Sequence, residues 1–237
     1  AEYYPMLQLL RKIPVEENGI TNDYCVFIKK TTEELKMTNK IIDCFKFYNE
    51  IDMLKFRLAE LDPVVDYFIL SEATKTHKGD DKPLFFQENK DQFKPYLHKI
   101  IHIIVTDMPS GDNPWDREEH QRNRLVDGFS YLNLSENDII IINDIDEITD
   151  PNRLKEFRNK ELNEVCILEQ DMYYYNLETK QKEKWDQSKI FPYKLLKNNL
   201  LSTIRRSHTQ VELTTILKGG WHFSYFFGVD QIINKIK

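Results

Sequence analysis

Residues 138–151 read D-I-I-I-I-N-D-I-D-E-I-T-D-P, and this stretch constrains the fold more than any other part of the chain. Four consecutive isoleucines without polar alternation are typical of a strand buried on both faces of a parallel sheet. Asp144 and Asp146 follow directly, and residues two apart in an extended chain point to the same side. Because open α/β sheets bind ligands beyond the carboxyl ends of their strands, we expect a ligand site at these two carboxylates.

Two carboxylates with no cysteine or histidine beside them favour a hard divalent cation, Mg²⁺ or Mn²⁺, held jointly with the phosphates of a ligand. The alternative is that this Asp-x-Asp sequence serves only turn formation and helix capping. Asp150 and Pro151 are indeed typical of an N-cap and a first helical position, with Leu154 on the buried side of the next helix. An EF-hand calcium loop is excluded, because its sixth position would not be a glycine.

The composition is that of an ordinary globular protein, with 237 residues of which 30% are charged and 41% apolar. This length is enough for one large α/β domain with a full core. The formal net charge of −6 argues against a nucleic-acid partner, for which a basic face is expected.

The three cysteines, Cys25, Cys44 and Cys166, form no CxxC pair, so neither a disulfide framework nor a structural zinc site is indicated. Free thiols favour a cytoplasmic or otherwise reducing compartment. No apolar run reaches the roughly 20 residues of a membrane span, and no signal peptide opens the chain.

Residues 1–38 carry no chemical motif and are expected to be an N-terminal extension of unknown role. They contain an apolar patch that includes Tyr3 and Tyr4, a possible strand at 24–28, and the polar run T-T-E-E-L-K-M-T-N.

From Lys40 onward, the pattern predicts a strand at 41–47, a helix capped by Asn49 and a second strand at 64–70. The helix has its apolar positions on one face, at Ile51, Leu54, Leu58 and Leu61. This strand–helix–strand order is that of a right-handed parallel crossover.

The same alternation continues and predicts a layered, mostly parallel α/β sheet across residues 39–237. A short helix is expected at 89–96 and a third buried strand at 100–105. Asn113 and Pro114 begin a charged helix for which Gly128 is the predicted terminator. That helix either faces solvent or binds a ligand. Glu118 and Arg122 are four apart on it and are expected to pair.

The turn after the first strand, F-K-F-Y-N-E, contains no glycine, so the phosphate-cradling loop of dinucleotide and P-loop proteins is absent. A nucleotide bound here would need another counter-charge for its diphosphate, and a cation at Asp144 and Asp146 is the natural candidate. The loop after the second strand contains four basic residues that are either phosphate contacts or a solvated face: Lys75, His77, Lys78 and Lys82.

Beyond the acidic pair, a strand is predicted at 165–175, with Glu169 and Asp171 two apart on it. Trp185 and the segment G-G-W-H-F-S-Y-F-F-G at 219–228 add aromatic rings. Such rings offer flat apolar faces to a sugar, but they also serve as ordinary core packing. His222 is either a third metal ligand or an ordinary loop histidine.

Several separate motifs, in order, resemble glycosyltransferase family 17 from about Lys40 to the end of the chain. They are D-C-F-K-F-Y-N-E-I-D-M-L-K-F-R-L-A-E-L, V-V-D-Y-F-I-L-S-E-A-T-K-T-H-K-G-D-D-K-P-L, W-D-R-E-E-H-Q-R-N, N-D-I-D-E-I and G-G-W-H-F-S. The resemblance implies a GT-A-like (Rossmann-like) fold and inversion at the anomeric carbon. It also implies a UDP-sugar donor such as UDP-GlcNAc, a glycan or glycoprotein acceptor, and Mn²⁺ (or Mg²⁺).

The resemblance also implies roles for individual residues. Asp144 and Asp146 match the family's Asp-x-Asp and His222 its tryptophan–histidine motif, so these three are the expected metal ligands. Asn49 and Glu72, at the ends of the first two strands, are expected near the uridine. Arg117, Arg122 and Asn123 match the family's R-E-x-x-Q-R-N. The expected donor contacts are Phe45, Asn49, Glu72, Lys82, Arg117, Arg122, Asn123 and Asp144, and the expected acceptor contacts are Tyr174, Trp185 and Trp221.

Glu169 or Asp171 is the predicted general base that removes the proton from the acceptor hydroxyl. Two alternatives stay open: a non-catalytic domain that binds nucleotide sugars or glycans, and a phosphohydrolase of the haloacid dehalogenase kind. In that second class, Asp-x-Asp normally follows the first strand, not the fourth. The chain ends at I-I-N-K-I-K, where family members usually continue, so a domain shortened at its C-terminus is expected. The Golgi lumen is the alternative compartment if an anchor was trimmed.

Overall fold

The computed structural model describes residues 7–17, 20–29, 38–207 and 212–226, the first two ranges as backbone only. The chain divides into two compact units, residues 1–38 and 39–237. In the first unit, β1 (Leu7–Glu17) and β2 (Ile20–Lys29) pair antiparallel. The possible strand at 24–28 is the middle of β2. The expectations for Tyr3, Tyr4 and most of the polar run before Asn39 lie outside the described residues.

The second unit begins with four parallel strands in the order β5-β4-β3-β6. They are β3 (Ile41–Phe47), β4 (Tyr67–Ala73), β5 (Ile100–Val105) and β6 (Ile139–Asn143), and α1 (Ile51–Leu61) connects β3 to β4. The isoleucines of β6 are fully buried and alternate between two apolar clusters, one on each face of the sheet. The predicted doubly covered central strand is therefore confirmed.

The second half of the sheet corrects the prediction of a mostly parallel arrangement. It consists of β7 (Glu147–Thr149), β8 (Cys166–Tyr174), β9 (Lys180–Trp185), β10 (Lys189–Pro192) and β11 (Thr214–Ser224). The strand order continues as β6-β10-β8-β11-β7, with β9 on β8, and in this half β8 and β11 alone are parallel among the described strands. A short connection joins β8 to its neighbour β9, and only antiparallel neighbours can be joined so closely. The layered α/β architecture is confirmed, whereas the sheet is mixed.

Helices and 3₁₀ turns accompany the strands, and two of the helices begin at the predicted capping residues Asn113 and Asp150. The helices after α1 are α2 (Phe85–Asn89), α3 (Pro114–Asn123), α4 (Pro151–Phe157) and α5 (Leu201–Arg205), with 3₁₀ turns at Lys90–Phe93, Arg124–Tyr131 and Tyr193–Asn198. The Asn113 side chain accepts from the backbone N–H of Trp115 at 3.2 Å, and that of Asp150 from Asn152 at 2.8 Å, so both predicted caps are confirmed. No helix within the described ranges combines the length and apolarity that crossing a membrane requires.

Four local expectations were wrong. The short helix expected at 89–96 is instead α2 (Phe85–Asn89) followed by a 3₁₀ turn at Lys90–Phe93. The N-cap of α1 is Glu50, not Asn49, and it makes no side-chain capping bond. The second strand begins at Tyr67, not Val64, because the turn after α1 takes up the preceding residues. Gly128 does not end α3 but lies inside the following 3₁₀ turn, where an added Cβ would meet the Ile69 side chain at 2.5 Å. Close packing against β4 explains this glycine.

Arg57 of α1 is fully buried and joins three parts of the fold. Its Nε and Nη2 donate to the two carboxylate oxygens of Asp43 in β3 at 2.7 and 2.6 Å. Its Nη1 donates to the carbonyl oxygens of Asp144, Ile145 and Glu147 at 3.1, 3.2 and 2.7 Å. The guanidinium therefore fixes the backbone of the loop between β6 and β7.

Replacing Asp43 with alanine should destabilise the protein by about 3–5 kcal/mol, because Arg57 would remain buried without its counter-charge. Urea denaturation measures this loss. The double variant D43L/R57M should be more stable than D43A, since apolar residues of similar volume often replace a buried ion pair at little cost.

The exposed pair Asp52–Lys55 on the same helix provides the matched control. D52A should change stability little, because both partners are hydrated. An equally small effect of D43A on stability would contradict the conclusion that Asp43 neutralises the buried Arg57.

Candidate functional site

An open cleft of about 630 Å³ lies where β3 and β6 end, between the 75–82 loop and the end of β11. Because these are carboxyl ends of strands, the position agrees with where open α/β sheets bind ligands. Its lining consists of Lys46, Phe47, Tyr48, Glu50, Lys75, Thr76, His77, Lys78, Asp80, Lys82, Gln121, Asp144, Ile145, Asp146, Trp185, His222, Ser224 and Tyr225.

Asp144 lines the cleft but is already surrounded by cations. Its Oδ1 lies 3.1 Å from Arg122 Nη2 and 3.4 Å from Lys46 Nζ, and its Oδ2 lies 3.3 Å from Arg205 Nη2. Burial would raise the pKa of Asp144, but these three charges outweigh it and hold the pKa well below its ordinary range. Asp144 is therefore ionised, and its charge is compensated within the protein.

Asp146 has a different environment. Its Oδ2 lies 3.7 Å from Nε2 of His222. Burial disfavours the charged imidazolium, yet the Asp146 carboxylate outweighs burial and raises the pKa of His222. Asp146 and His222 are thus a neighbouring carboxylate and imidazole that both face the cleft.

The three predicted metal ligands do not converge on one point. Among the described residues, no group of three or more His, Cys, Asp and Glu side chains is arranged to hold a metal ion. Asp146 and His222 are close together, whereas Asp144 is engaged by its three cations. Magnesium-type sites commonly use one or two carboxylates and complete their coordination with substrate phosphates and water, so Asp146 fits that donor set, with His222 beside it.

The sequence reasoning missed Glu147, which is fully buried behind the acidic pair. Arg205 donates to both of its carboxylate oxygens, and Trp185 Nε1 donates to its Oε1 at 2.6 Å. The Trp185 ring lies against His222, with centroids 4.3 Å apart. Glu147 thereby fixes the aromatic wall behind the candidate ligand His222. The sequence signal for Glu147 was its position directly after Asp146. Its partner Arg205 lies far away in the chain, so the ion pair could not be read from local sequence.

Four lysines and two histidines line the cleft: Lys46, Lys75, Lys78, Lys82, His77 and His222. Lys46 is salt-bridged to Glu118, and Lys82 lies over the Tyr48 ring at 5.2 Å from its centroid. Burial lowers the pKa of Lys46, of Lys82 and of His77. A chain of net charge −6 therefore places a group of basic side chains in this cleft.

Three of the expected donor contacts at the strand ends are not part of the cleft lining. Phe45 is buried in the core, with the Arg57 guanidinium 4.5 Å from its ring centroid. Glu72 is buried, accepts from the Phe86 backbone N–H at 2.9 Å and lies 3.0 Å from His102 Nε2. Glu72 therefore fixes the start of α2, and Asn49 is half-buried in the turn before α1.

The expected contacts on α3 hold other segments in place. Arg117 donates to the carbonyl oxygens of His77, Pro109 and Gly111, and so joins two loops. The Asn123 side chain accepts from the backbone N–H of Ser202 at 2.9 Å and anchors the start of α5. Arg122 reaches the site through Asp144 and forms the predicted pair with Glu118. The helix is mainly a support for the cleft.

The predicted base and acceptor residues lie at different places on the β8–β11 side. Asp171 is salt-bridged to Lys180 and Lys184, and neither it nor Glu169 lines the cleft. Trp221 packs on an apolar core cluster. Trp185 lines the cleft, and Tyr174 stacks on the lining residue Tyr225, with ring centroids 6.1 Å apart.

Glu50 is a carboxylate of the cleft that the sequence reasoning did not single out. Its Oε2 accepts from the backbone N–H groups of Tyr48 and Asn49, both at 3.0 Å. Burial raises the pKa of Glu50, and these hydrogen bonds offset only part of that effect. A carboxyl group with a raised pKa in a cleft is a candidate for proton transfer.

Within the part of the chain that the structure describes, several buried polar atoms around the site have no hydrogen-bond partner. They are Nη1 of Arg122, Nδ1 of His222 and both amide atoms of Gln170. Gln170 of β8 pairs in register with Trp185 and Gly220 on the adjoining strands.

Comparison with known proteins identifies a family and similar proteins. The model of glycosyltransferase family 17 matches residues 14–237. The proteins named beta-1,4-mannosyl-glycoprotein 4-beta-N-acetylglucosaminyltransferase from Rattus norvegicus and Homo sapiens are each 33% identical to the chain over 119 residues, and that of Mus musculus is 32% identical. Each match covers 48% of this chain and 22% of the relative, so it spans about a fifth of the length of these relatives.

Replacing Glu147 with glutamine should cost about 3 kcal/mol of stability at neutral pH, because Arg205 would lose the charge of its buried partner. Burial alone would raise the pKa of Glu147, but Arg205 outweighs it and lowers the pKa. The stabilisation is therefore complete above the unfolded-state pKa of about 4.3 and is lost as pH falls through the lower folded-state value. Urea denaturation from pH 7 to pH 3 should show the two proteins converging in acid.

The exposed pair Glu136–Lys197 serves as the control. E136Q should leave stability nearly unchanged at neutral pH, because that pair is solvated. A constant difference between wild type and E147Q at every pH would contradict the role of the Glu147 charge.

Proposed function

The chain belongs to glycosyltransferase family 17, and from this premise we propose that it transfers GlcNAc from UDP-GlcNAc to a hydroxyl group of a glycan, with inversion at the anomeric carbon. The observation that carries this proposal is the cleft, in which Asp146 and His222 share the lining with four lysines. Such a site suits a ligand with two phosphates and an attached sugar. The names of the similar mammalian proteins make a β-1,4-mannosyl glycan the first acceptor to test.

The lysines neutralise the donor diphosphate in this proposal. No glycine loop follows β3 to supply backbone N–H groups, so charged side chains have to supply the counter-charge. Lys82 is well placed because it lines the cleft and its ammonium nitrogen is held over the Tyr48 and Phe85 rings, 5.2 and 5.4 Å from their centroids. Charge-assisted hydrogen bonds of this kind are stronger than neutral ones.

Asp146 and His222 would hold a divalent cation, Mn²⁺ or Mg²⁺, together with the diphosphate oxygens. Such a cation offsets the charge that develops on the departing UDP. The proposal assigns Asp144 a different task. Its carboxylate holds Lys46, Arg122 and Arg205 in fixed positions next to the cleft.

Glu50 is the proposed general base, in place of Glu169 and Asp171. It lines the same cleft as Asp146, whereas the other two do not. Its carboxylate would accept the proton of the acceptor hydroxyl as that oxygen attacks the anomeric carbon. Family membership also favours this scheme over the phosphohydrolase alternative. A phosphohydrolase of that kind needs an aspartate of the Asp-x-Asp sequence that is free to attack, whereas Asp144 is held by three cations.

Replacing Asp146 with alanine should weaken UDP binding in the presence of Mn²⁺ by about 100-fold or more, because one of two protein ligands is removed. Calorimetric titration of UDP with Mn²⁺, and again with a chelator, measures this. The chelator should weaken UDP binding by the wild type and leave UDP binding by D146A unchanged. The exposed Asp91 supplies the control D91A, which should behave as wild type. Equal UDP affinity of wild type with and without Mn²⁺ would contradict the metal assignment.

Replacing Glu50 with glutamine should lower kcat by about 10²- to 10⁴-fold, since the proton acceptor is lost. Transfer from UDP-GlcNAc to a β-1,4-mannosyl oligosaccharide, or hydrolysis of the donor without acceptor, provides the assay. Wild-type activity should fall as the solution is acidified through the raised pKa of Glu50, and this acid limb should be absent from any residual E50Q activity.

The exposed glutamate at position 88 provides the control E88Q. Full activity of E50Q would exclude Glu50 as the base. Absence of transfer and hydrolysis in the wild type, with UDP still bound, would favour the non-catalytic binding domain instead.

A further inference from the structure

Tyr175 and Tyr225 occupy equivalent positions at the ends of two hydrogen-bonded parallel strands. Tyr174, the last residue of β8, is in register with Ser224, the last residue of β11, so each tyrosine is the next residue along its strand. Both have a left-handed backbone, with φ of 65° at Tyr175 and 57° at Tyr225. Among the described residues other than glycine, Lys218 alone shares this property.

A left-handed conformation is uncommon for a bulky residue, because its Cβ crowds the backbone. Where such a conformation persists, the surrounding structure enforces it, and these positions cluster at ligand sites. Here the Tyr175 backbone N–H donates to the Ser224 carbonyl oxygen at 3.0 Å. The following turn is closed by the Asn176 side chain, which accepts from the backbone N–H groups of Glu178 and Thr179. The backbone at the end of β8 is thus held in place.

Together with Tyr174, these residues form a cluster of three rings that we term the tyrosine platform. The ring centroids are 5.8 Å apart for Tyr174 and Tyr175, 5.9 Å for Tyr175 and Tyr225, and 6.1 Å for Tyr174 and Tyr225. The rings of Tyr174 and Tyr225 are nearly parallel, with an interplanar angle of 21°. Tyr175 is 55% exposed, and Tyr225 lines the cleft that contains Asp146. The platform therefore extends from the cleft to the surface.

The chemistry of the platform differs from that of the rest of the cleft. The lysines come from β3 and the 75–82 loop, and they suit the anionic diphosphate. Tyr225 directly follows β11, three residues after His222, and the platform rings carry no charge. Tyrosine rings offer rigid apolar faces and hydroxyl groups, which match the C–H face and the hydroxyls of a neutral sugar.

We propose that the tyrosine platform binds a pyranose ring of the acceptor glycan and so presents the acceptor hydroxyl to the donor. The inference rests on the proposed glycosyl transfer, and it assigns acceptor binding to Tyr175 and Tyr225 in addition to Tyr174. The exposed Tyr175 binds the part of the glycan that extends out of the cleft, and Tyr225 binds the sugar nearest the reaction centre.

The test measures sugar binding directly, without turnover. Soluble β-1,4-mannobiose is titrated into the full chain and followed by saturation-transfer NMR, and UDP is titrated separately by calorimetry. Tyr175→Ala and Tyr225→Ala should each weaken mannobiose binding about tenfold, as expected for loss of an aromatic contact, and leave UDP affinity unchanged. Tyr175→Phe should retain most of the affinity, because the ring face is kept.

Two further variants separate binding from folding. Tyr175→Gly removes the ring but readily adopts the left-handed backbone, so it should weaken mannobiose binding like Tyr175→Ala without lowering the thermal midpoint. Tyr131→Ala removes another highly exposed tyrosine, which is not part of the platform, and should have no effect on sugar binding.

The possible outcomes are distinct. No mannobiose binding by wild type, or equal binding by wild type and the two alanine variants, would overturn the proposal. Loss of UDP affinity in the alanine variants would also overturn it, since the rings would then stack on the uracil base. Failure of wild type to bind UDP would count against the proposed function, whereas the comparison of the alanine variants with wild type decides the platform.

Discussion

The buried guanidinium of Arg57 is the interaction on which the site depends. A loop that turns between β6 and β7 exposes carbonyl oxygens toward the protein interior, and such oxygens need donors. Arg57 supplies them to Asp144, Ile145 and Glu147 with one nitrogen, while Asp43 neutralises its charge with two further hydrogen bonds. The central strand delivers the Asp-x-Asp sequence to the edge of the sheet, and Arg57 determines the conformation in which it is held.

A second layer of charge surrounds this loop and divides the tasks of the two aspartates. Asp144 and Glu147 compensate Arg205, and Asp144 also contacts Arg122 and Lys46. A buried charge costs free energy unless it is paired, so each side chain of this network is held in position by its partners. Asp146 is outside the network and contacts His222. An Asp-x-Asp sequence in which both residues look equivalent thus contains one structural and one ligand-facing carboxylate.

Local patterns were enough to predict the parallel half of the fold. The isoleucine run, the apolar face of α1 and the caps Asn113 and Asp150 each depend on neighbours in the chain, and each was found as predicted. The strand pairing of the second half depends on contacts between distant segments, and the alternation of elements does not reveal it. The same limit explains the site. Glu72 and Asn123 stand at strand and helix ends where a ligand is expected, but α2 and α5 occupy their side chains, and Arg205 enters the site from a distant helix.

The mixed half of the sheet is what completes the cleft. β11 runs between β8 and β7, and its pairing with β7 places His222 opposite Glu147, while the Phe223 N–H donates to the Asp146 carbonyl at 2.9 Å. This approach requires glycine. A Cβ at Gly219 would lie 2.8 Å from the Leu168 backbone, and one at Gly220 would lie 2.1 Å from the Ile148 carbonyl oxygen. The sequence G-G-W-H therefore has a physical basis: the two glycines let the strand lie close enough for the histidine two residues later to reach Asp146.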